Sequence, residues 1–139
     1  MIDSPMRSID TNILLRHLLQ DHDDHSPRAS ALLLAVRKGQ KKIFCPSTVI
    51  FEAIHILHGR VGLPRVEISW ALNNLIALPD FVMAEESVVI DALEIWTKQS
   101  PLDYADCYHL ALTKDLGMTE IYTFDRKMDC FPGVERVEP

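Results

Sequence analysis

Apolar positions along the chain fall into two rhythms: short runs bounded by polar or proline breaks, and longer stretches repeating at three-and-four spacing. Met6–Ile9, Lys41–Pro46, Asp80–Ala84, Glu120–Phe124 and a last segment around Glu135–Val137 read as short strands. Thr11–Gln20 carries Leu14, Leu15, Leu18 and Leu19 along one helical face. After the polar loop "DHDDH", Ser26 and Pro27 supply an N-cap and a first-position proline for a helix ending near Gly39. Ser47 opens a helix through "TVIFEAIHIL" to about His58. Arg65–Ala77, Glu86–Gln99 and Asp103–Leu116 follow, the last capped by Gly117. Strands alternating with helices predict βαβ crossovers and the α/β class, in three α/β/α layers around a short, mostly parallel sheet of about four to five strands. Such sheets place ligands beyond the carboxyl ends of their strands.

The chain has 139 residues, of which 47% are hydrophobic and 24% charged, enough apolar material for one domain with a real core. The expected domain runs over 6–139, with Met1–Pro5 a disordered or dispensable extension. No apolar run approaches the roughly 18 residues of a membrane span, so no membrane association is expected. No basic segment followed by an apolar one marks the N-terminus as a secretory signal. Cys45, Cys107 and Cys130 are scattered without CxxC spacing and read as reduced thiols of a cytoplasmic protein.

A net charge of −6 lacks the basic footprint that usually gives affinity for nucleic acid. The contradiction disappears if several carboxylates share one site and a divalent metal neutralises them.

Sorting the acids by position gives such a set. Asp10 ends the first strand and Asp125 ends "EIYTF", so in a parallel sheet both reach the same edge. Asp10 opens Asp-Thr-Asn, which reads equally as a helix cap, because a side-chain oxygen there accepts from the orphan N–H groups of the first turn. Glu52 sits in the first turn after the second strand, on the flank of the Val49, Ile50, Ala53, Ile54 and Leu57 stripe; a solvated glutamate is the plain alternative. Asp103 and Asp106 share one face at a helix start, where acids also favour the helix dipole. Asp106 borders an apolar face, and an unpaired buried carboxylate is costly, so a cation is the expected partner. Oxygen donors of this kind suit Mg²⁺ or Mn²⁺, and their chemistry is metal-assisted attack of water on a phosphodiester.

These residues resemble the PIN-domain ribonucleases, specifically the VapC-type toxins of toxin–antitoxin pairs. "IDTNILLRHLL" is similar to that family's opening strand, with Asp10 as its first acid. "PSTVIFEAIHIL" resembles the second block with Glu52, and "LDYADCYHLAL" the third, with Asp106 the principal acid and Asp103 accessory. "IYTFDRKM" resembles the fourth, with Asp125. The resemblance implies an α/β/α fold and a Mg²⁺- or Mn²⁺-dependent endoribonuclease acting on RNA, usually dimeric and inhibited by a small antitoxin. It reads Asp10, Glu52, Asp106 and Asp125 as catalytic metal ligands, with Thr11 and Asn12 capping the first helix and ordering the site.

Two other readings stand beside this one: a PIN-like RNA-processing nuclease without an antitoxin, and a scaffold that kept the fold and lost turnover. A scaffold has no physical need for repelling carboxylates. "DHDDH" reads as a solvated loop, His109 as a helix histidine, and Arg126 and Lys127 as basic neighbours of Asp125 within reach of RNA phosphate. Trp70, Trp96 and Phe81 belong in a core or a dimer interface.

Overall fold

The computed structural model describes residues 5–99 and 101–139. Residues 1–4, and with them most of the expected extension, lie outside the described residues. The chain divides into two compact units, the first running to Ala84 and the second from Glu85 to Pro139.

In the first unit the elements run β1 (Arg7–Ser8), α1 (Thr11–Leu19), α2 (His25–Arg37), β2 (Ile43–Phe44), α3 (Ser47–Ile54), a π-turn (His55–Arg60), α4 (Arg65–Ile76) and β3 (Phe81–Val82). The strands form a parallel sheet in the order β1-β2-β3, pairing Arg7 with Ile43 and Ile43 with Phe81. Helix α1 forms because Leu14 and Leu15 bury one face while Asp10 satisfies the first turn. It stops at Gln20, which takes a left-handed φ of 51°. Gln20 Nε2 offsets that strain by donating to the His17 carbonyl at 2.6 Å and to Ser30 Oγ on α2 at 2.8 Å. Leu14, Ile43, Ile50, Leu57, Leu72 and Ile76 make the centre of this core, each nearly or fully inaccessible.

Two local expectations change here. Helix α2 begins at His25 rather than after Ser26, with Asp24 at the cap position. Pro27 still falls in the first turn, where no N–H is required, and Ser26 Oγ accepts from the His22 N–H at 3.2 Å. The regular helix expected to about His58 ends at Ile54 and widens into the π-turn, closed by the Val61 N–H donating to Ile56 O at 3.0 Å.

The second unit runs α5 (Glu86–Lys98), α6 (Tyr104–Asp115), β4 (Glu120–Tyr122), a 3₁₀ turn (Arg126–Cys130) and β5 (Glu135–Val137). Val88, Val89, Ala92, Leu93 and Trp96 on α5 bury against α6, where Cys107, Leu110 and Ala111 face inward. Trp96 meets the Tyr104 ring edge-on at 6.2 Å. Tyr104 donates its hydroxyl to the Val89 carbonyl at 3.4 Å, and burial raises its pKa. β4 and β5 pair in parallel, Glu120 with Glu135 and Tyr122 with Val137.

The α/β class, the helix order and the parallel pairing therefore hold, with a three-stranded ladder in the first unit and a two-stranded ladder in the second. Trp96 and Phe81 are buried as expected, whereas Trp70 is 70% exposed on α4. No described helix is long and apolar enough to cross a membrane.

Candidate active site

Asp10 follows β1 and stands at the N-cap of α1. Its backbone is extended, and its Oδ1 accepts from the Asn12 N–H at 3.1 Å. The cap of α1 is therefore Asp10 itself, which corrects the assignment of that task to Thr11 and Asn12. Thr11 is buried in the first turn, and Asn12 contributes only its backbone N–H to the cap. Glu52 lies exposed in the second turn of α3, one turn later than expected, as the sixth residue of a helix that opens at Ser47. Asp10 and Glu52 both belong to the first unit.

In the second unit Asp103 and Asp106 are hydrogen-bonded neighbours, and Asp125 is near enough for its charge to act on Asp106. Asp103 caps α6 by accepting from the Asp106 N–H at 2.9 Å, and Asp106 Oδ2 accepts in return from the Asp103 N–H at 3.4 Å. This reciprocal box satisfies two orphan donors at once. Asp125 caps the 3₁₀ turn, its Oδ1 accepting from the Lys127 N–H at 3.0 Å, with Lys127 Nζ 4.0 Å from Oδ2. Burial first, then the charge of Asp103 and its side-chain hydrogen bond, and more weakly the charge of Asp125, hold the Asp106 carboxyl above the usual carboxylate range; the backbone bond from Asp103 offsets part of this.

The geometry repeats. Asp10, Asp103 and Asp125 each give Oδ1 to a backbone N–H, which fixes the carboxylate plane while leaving Oδ2 outside the cap bond. Hard oxygen donors in a negative field suit a divalent cation. Among the described residues no three His, Cys, Asp or Glu side chains make a ready-formed metal-holding group, so these carboxylates do not stand as a closed cage.

Residues 8–133 match the PIN domain family. The chain belongs to that family. As a PIN domain it is also similar to a VapC ribonuclease of Mycobacterium bovis and to ribonuclease VapC13 of Mycobacterium tuberculosis. Each is 27% identical over 131 residues, covering 93% of this chain and 97% of the relative. The matched span crosses both compact units of this PIN domain and includes all five acids named above.

Two supporting residues in this PIN domain escaped the sequence reading. Thr123 Oγ1 accepts from the Asp125 N–H at 3.0 Å and shapes the turn that presents Asp125. The Thr-x-Asp spacing is a recognisable hydroxyl turn and could have signalled it. Tyr108 donates to Glu85 Oε2 at 2.5 Å, which pushes its hydroxyl up to about 12. No local pattern pairs residues 85 and 108, so no signal pointed there.

Proposed function

We propose that this PIN domain is a Mg²⁺- or Mn²⁺-dependent endoribonuclease, the toxin of a toxin–antitoxin pair, with Asp10, Glu52, Asp106 and Asp125 as its catalytic acids and Asp103 accessory. The observation that carries the reading is Asp106 at the start of α6, hydrogen-bonded to Asp103 and raised by burial first, then by the charge of Asp103 and more weakly by that of Asp125. Neighbouring carboxylates repel one another and become favourable opposite a cation. The names of the two mycobacterial relatives, both ribonucleases of the VapC kind, support the RNA substrate and the antitoxin.

In this reading Asp106 and Asp125 bind the cation, and the Asp103 charge strengthens the field that draws it in. The backbone N–H groups of Lys127 and Asp106 hold the Asp125 and Asp103 carboxylates in orientation before any ligand arrives, which lowers the cost of ordering them. When bound, the metal would supply Lewis acidity at the scissile phosphate and a lower pKa for the attacking water. On α4, exposed Val66 and Trp70, four residues apart, offer apolar surface for a second copy or an antitoxin segment.

The test is incubation of the purified protein with defined RNAs in Mg²⁺, Mn²⁺ or EDTA, beside Asp106→Asn. Cleavage that needs the metal and is lost in the variant is the expected result. Cleavage that persists in EDTA, or that Asp106→Asn leaves intact, would overturn the assignment.

A further inference from the structure

Tyr122 and Phe124 are 76% and 72% exposed, the highest values among the described large apolar side chains. Exposure alternates along this segment: Glu120, Tyr122 and Phe124 are open, Ile121 and Thr123 half-buried. The Thr123 N–H still donates to Val137 O at 3.1 Å, so the ladder continues past Tyr122. The two rings therefore stand on one face, two strand residues or roughly 7 Å apart. The next residue is the candidate metal acid Asp125, followed by exposed Arg126 and Lys127.

Nothing in the fold explains two solvent-facing rings beside a cation pair in a chain of net charge −6. A protein partner would be held by apolar groups packed as one patch. These rings are set apart along a strand, with cations at the end that carries the acid. A ligand with flat bases and a phosphate backbone uses both features, because bases stack on aromatic side chains while cations take the phosphates.

We propose that Tyr122, Phe124, Arg126 and Lys127 form a platform for single-stranded RNA that leads the substrate to Asp125. The proposal rests on the nuclease reading above and adds the side chains that hold the strand beside Asp125. Bases must be unpaired to stack on the two rings, so RNA is taken as a single strand at the point of cleavage.

The test is fluorescence anisotropy of a labelled single-stranded RNA of about 12 nucleotides, within known single-strand site sizes, in EDTA so that binding is read without cleavage. Y122A/F124A should melt like wild type and weaken binding by roughly 5- to 150-fold for each ring that carries a base, leaving the salt dependence unchanged. R126Q/K127Q should instead flatten the slope of log K against log salt by about 0.7 for each phosphate no longer neutralised. A duplex of the same sequence should bind more weakly than the single strand. The platform is refuted if Y122A/F124A binds and cleaves like wild type while wild type still cleaves with Mn²⁺; the nuclease reading then survives alone. It is equally refuted if the variant keeps RNA affinity but changes its sedimentation, which would make this face a protein contact. Wild type that neither binds nor cleaves RNA overturns both readings.

Discussion

Asp10 is the residue at which the cap and the metal ligand make separable predictions. Its Oδ1 accepts one N–H, from Asn12 at 3.1 Å. Replacing such a cap by Ala costs about 1 kcal/mol, within a range of roughly 0.5–2. With an unfolding entropy of about 2.1 cal/mol/K per residue over 139 residues, 1 kcal/mol corresponds to about 3.4 °C in Tm. Asn and Ser cap about as well as Asp, so they forfeit only the attraction of a negative charge for the helix N-terminus, about 0.3–1 kcal/mol or roughly 1–3 °C. Stability should therefore rank wild type, then Asn and Ser together, then Ala. Cleavage should rank differently if Asp10 is a ligand. All three variants lose the carboxylate, and removing one preorganised electrostatic group costs on the order of 10²–10³ in rate. Circular-dichroism melts in EDTA, set against Mn²⁺-dependent cleavage at 25 °C where every variant remains folded, read the two rankings separately. If cleavage follows Tm, with Asn and Ser close to wild type, Asp10 is a cap and nothing more.

The same separation applies at the other acids. Asp106→Asn keeps shape, removes one of three like charges and should abolish cleavage without lowering Tm near neutral pH. Because the folded Asp106 carboxyl is raised, its ionised form opposes folding above the folded pKa, and that penalty vanishes below the unfolded value of about 3.9. The stability gained by Asp106→Asn in EDTA should therefore shrink as pH falls through the acid range, and a gain constant with pH would contradict it. Glu52→Gln should lose cleavage with stability inside about 0.5 kcal/mol of wild type, as for an exposed position outside any cap; retained cleavage would remove Glu52 from the set. Mn²⁺ at a hundred times its Kd should stabilise wild type by about 2.7 kcal/mol and Asp106→Asn by clearly less at the same concentration, whereas equal shifts would place the metal elsewhere.

Much of this fold can be read from one sequence because its helices are long and their ends chemically marked. Leu14, Leu15, Leu18 and Leu19 at three-and-four spacing, the Asp103–Asp106 box and Gly117 with its positive φ of 80° each specify an element locally. The strands are another matter. At two or three residues each they show where the chain extends but not which neighbour it pairs with, since pairing is decided by contacts distant in sequence. Trp70 illustrates a second limit. Apolar spacing says that a helix has a face to cover, and α4 covers it with Ile68, Leu72, Leu75 and Ile76, leaving Trp70 outside. At the candidate site the capping acids carry a local signal, because a carboxylate just before a helix or turn accepts from the N–H groups that follow it. Thr123 carries one as well, two residues before Asp125, whereas Glu85 does not, because its role exists only once the chain has brought Tyr108 to it.

Capping and metal binding draw on the same property of a carboxylate, which is why the choice between them at Asp10 has no answer in sequence alone. A carboxylate has two oxygens with about four lone-pair directions, and a cap bond occupies one of them. The helix N-terminus favours the ionised form, the form a cation requires, so capping prepares an acid for metal instead of competing with it. Asp10, Asp103 and Asp125 are each held in this way by a backbone N–H. Glu52 is different: it lies exposed in the second turn of α3, beyond the reach of that helix's orphan N–H groups. Capping explains Asp10, Asp103 and Asp125 whether or not they bind metal. It gives no reason for Glu52. Loss of cleavage in Glu52→Gln with an unchanged melt thus weighs more heavily for the metal reading than the same result at any capping acid.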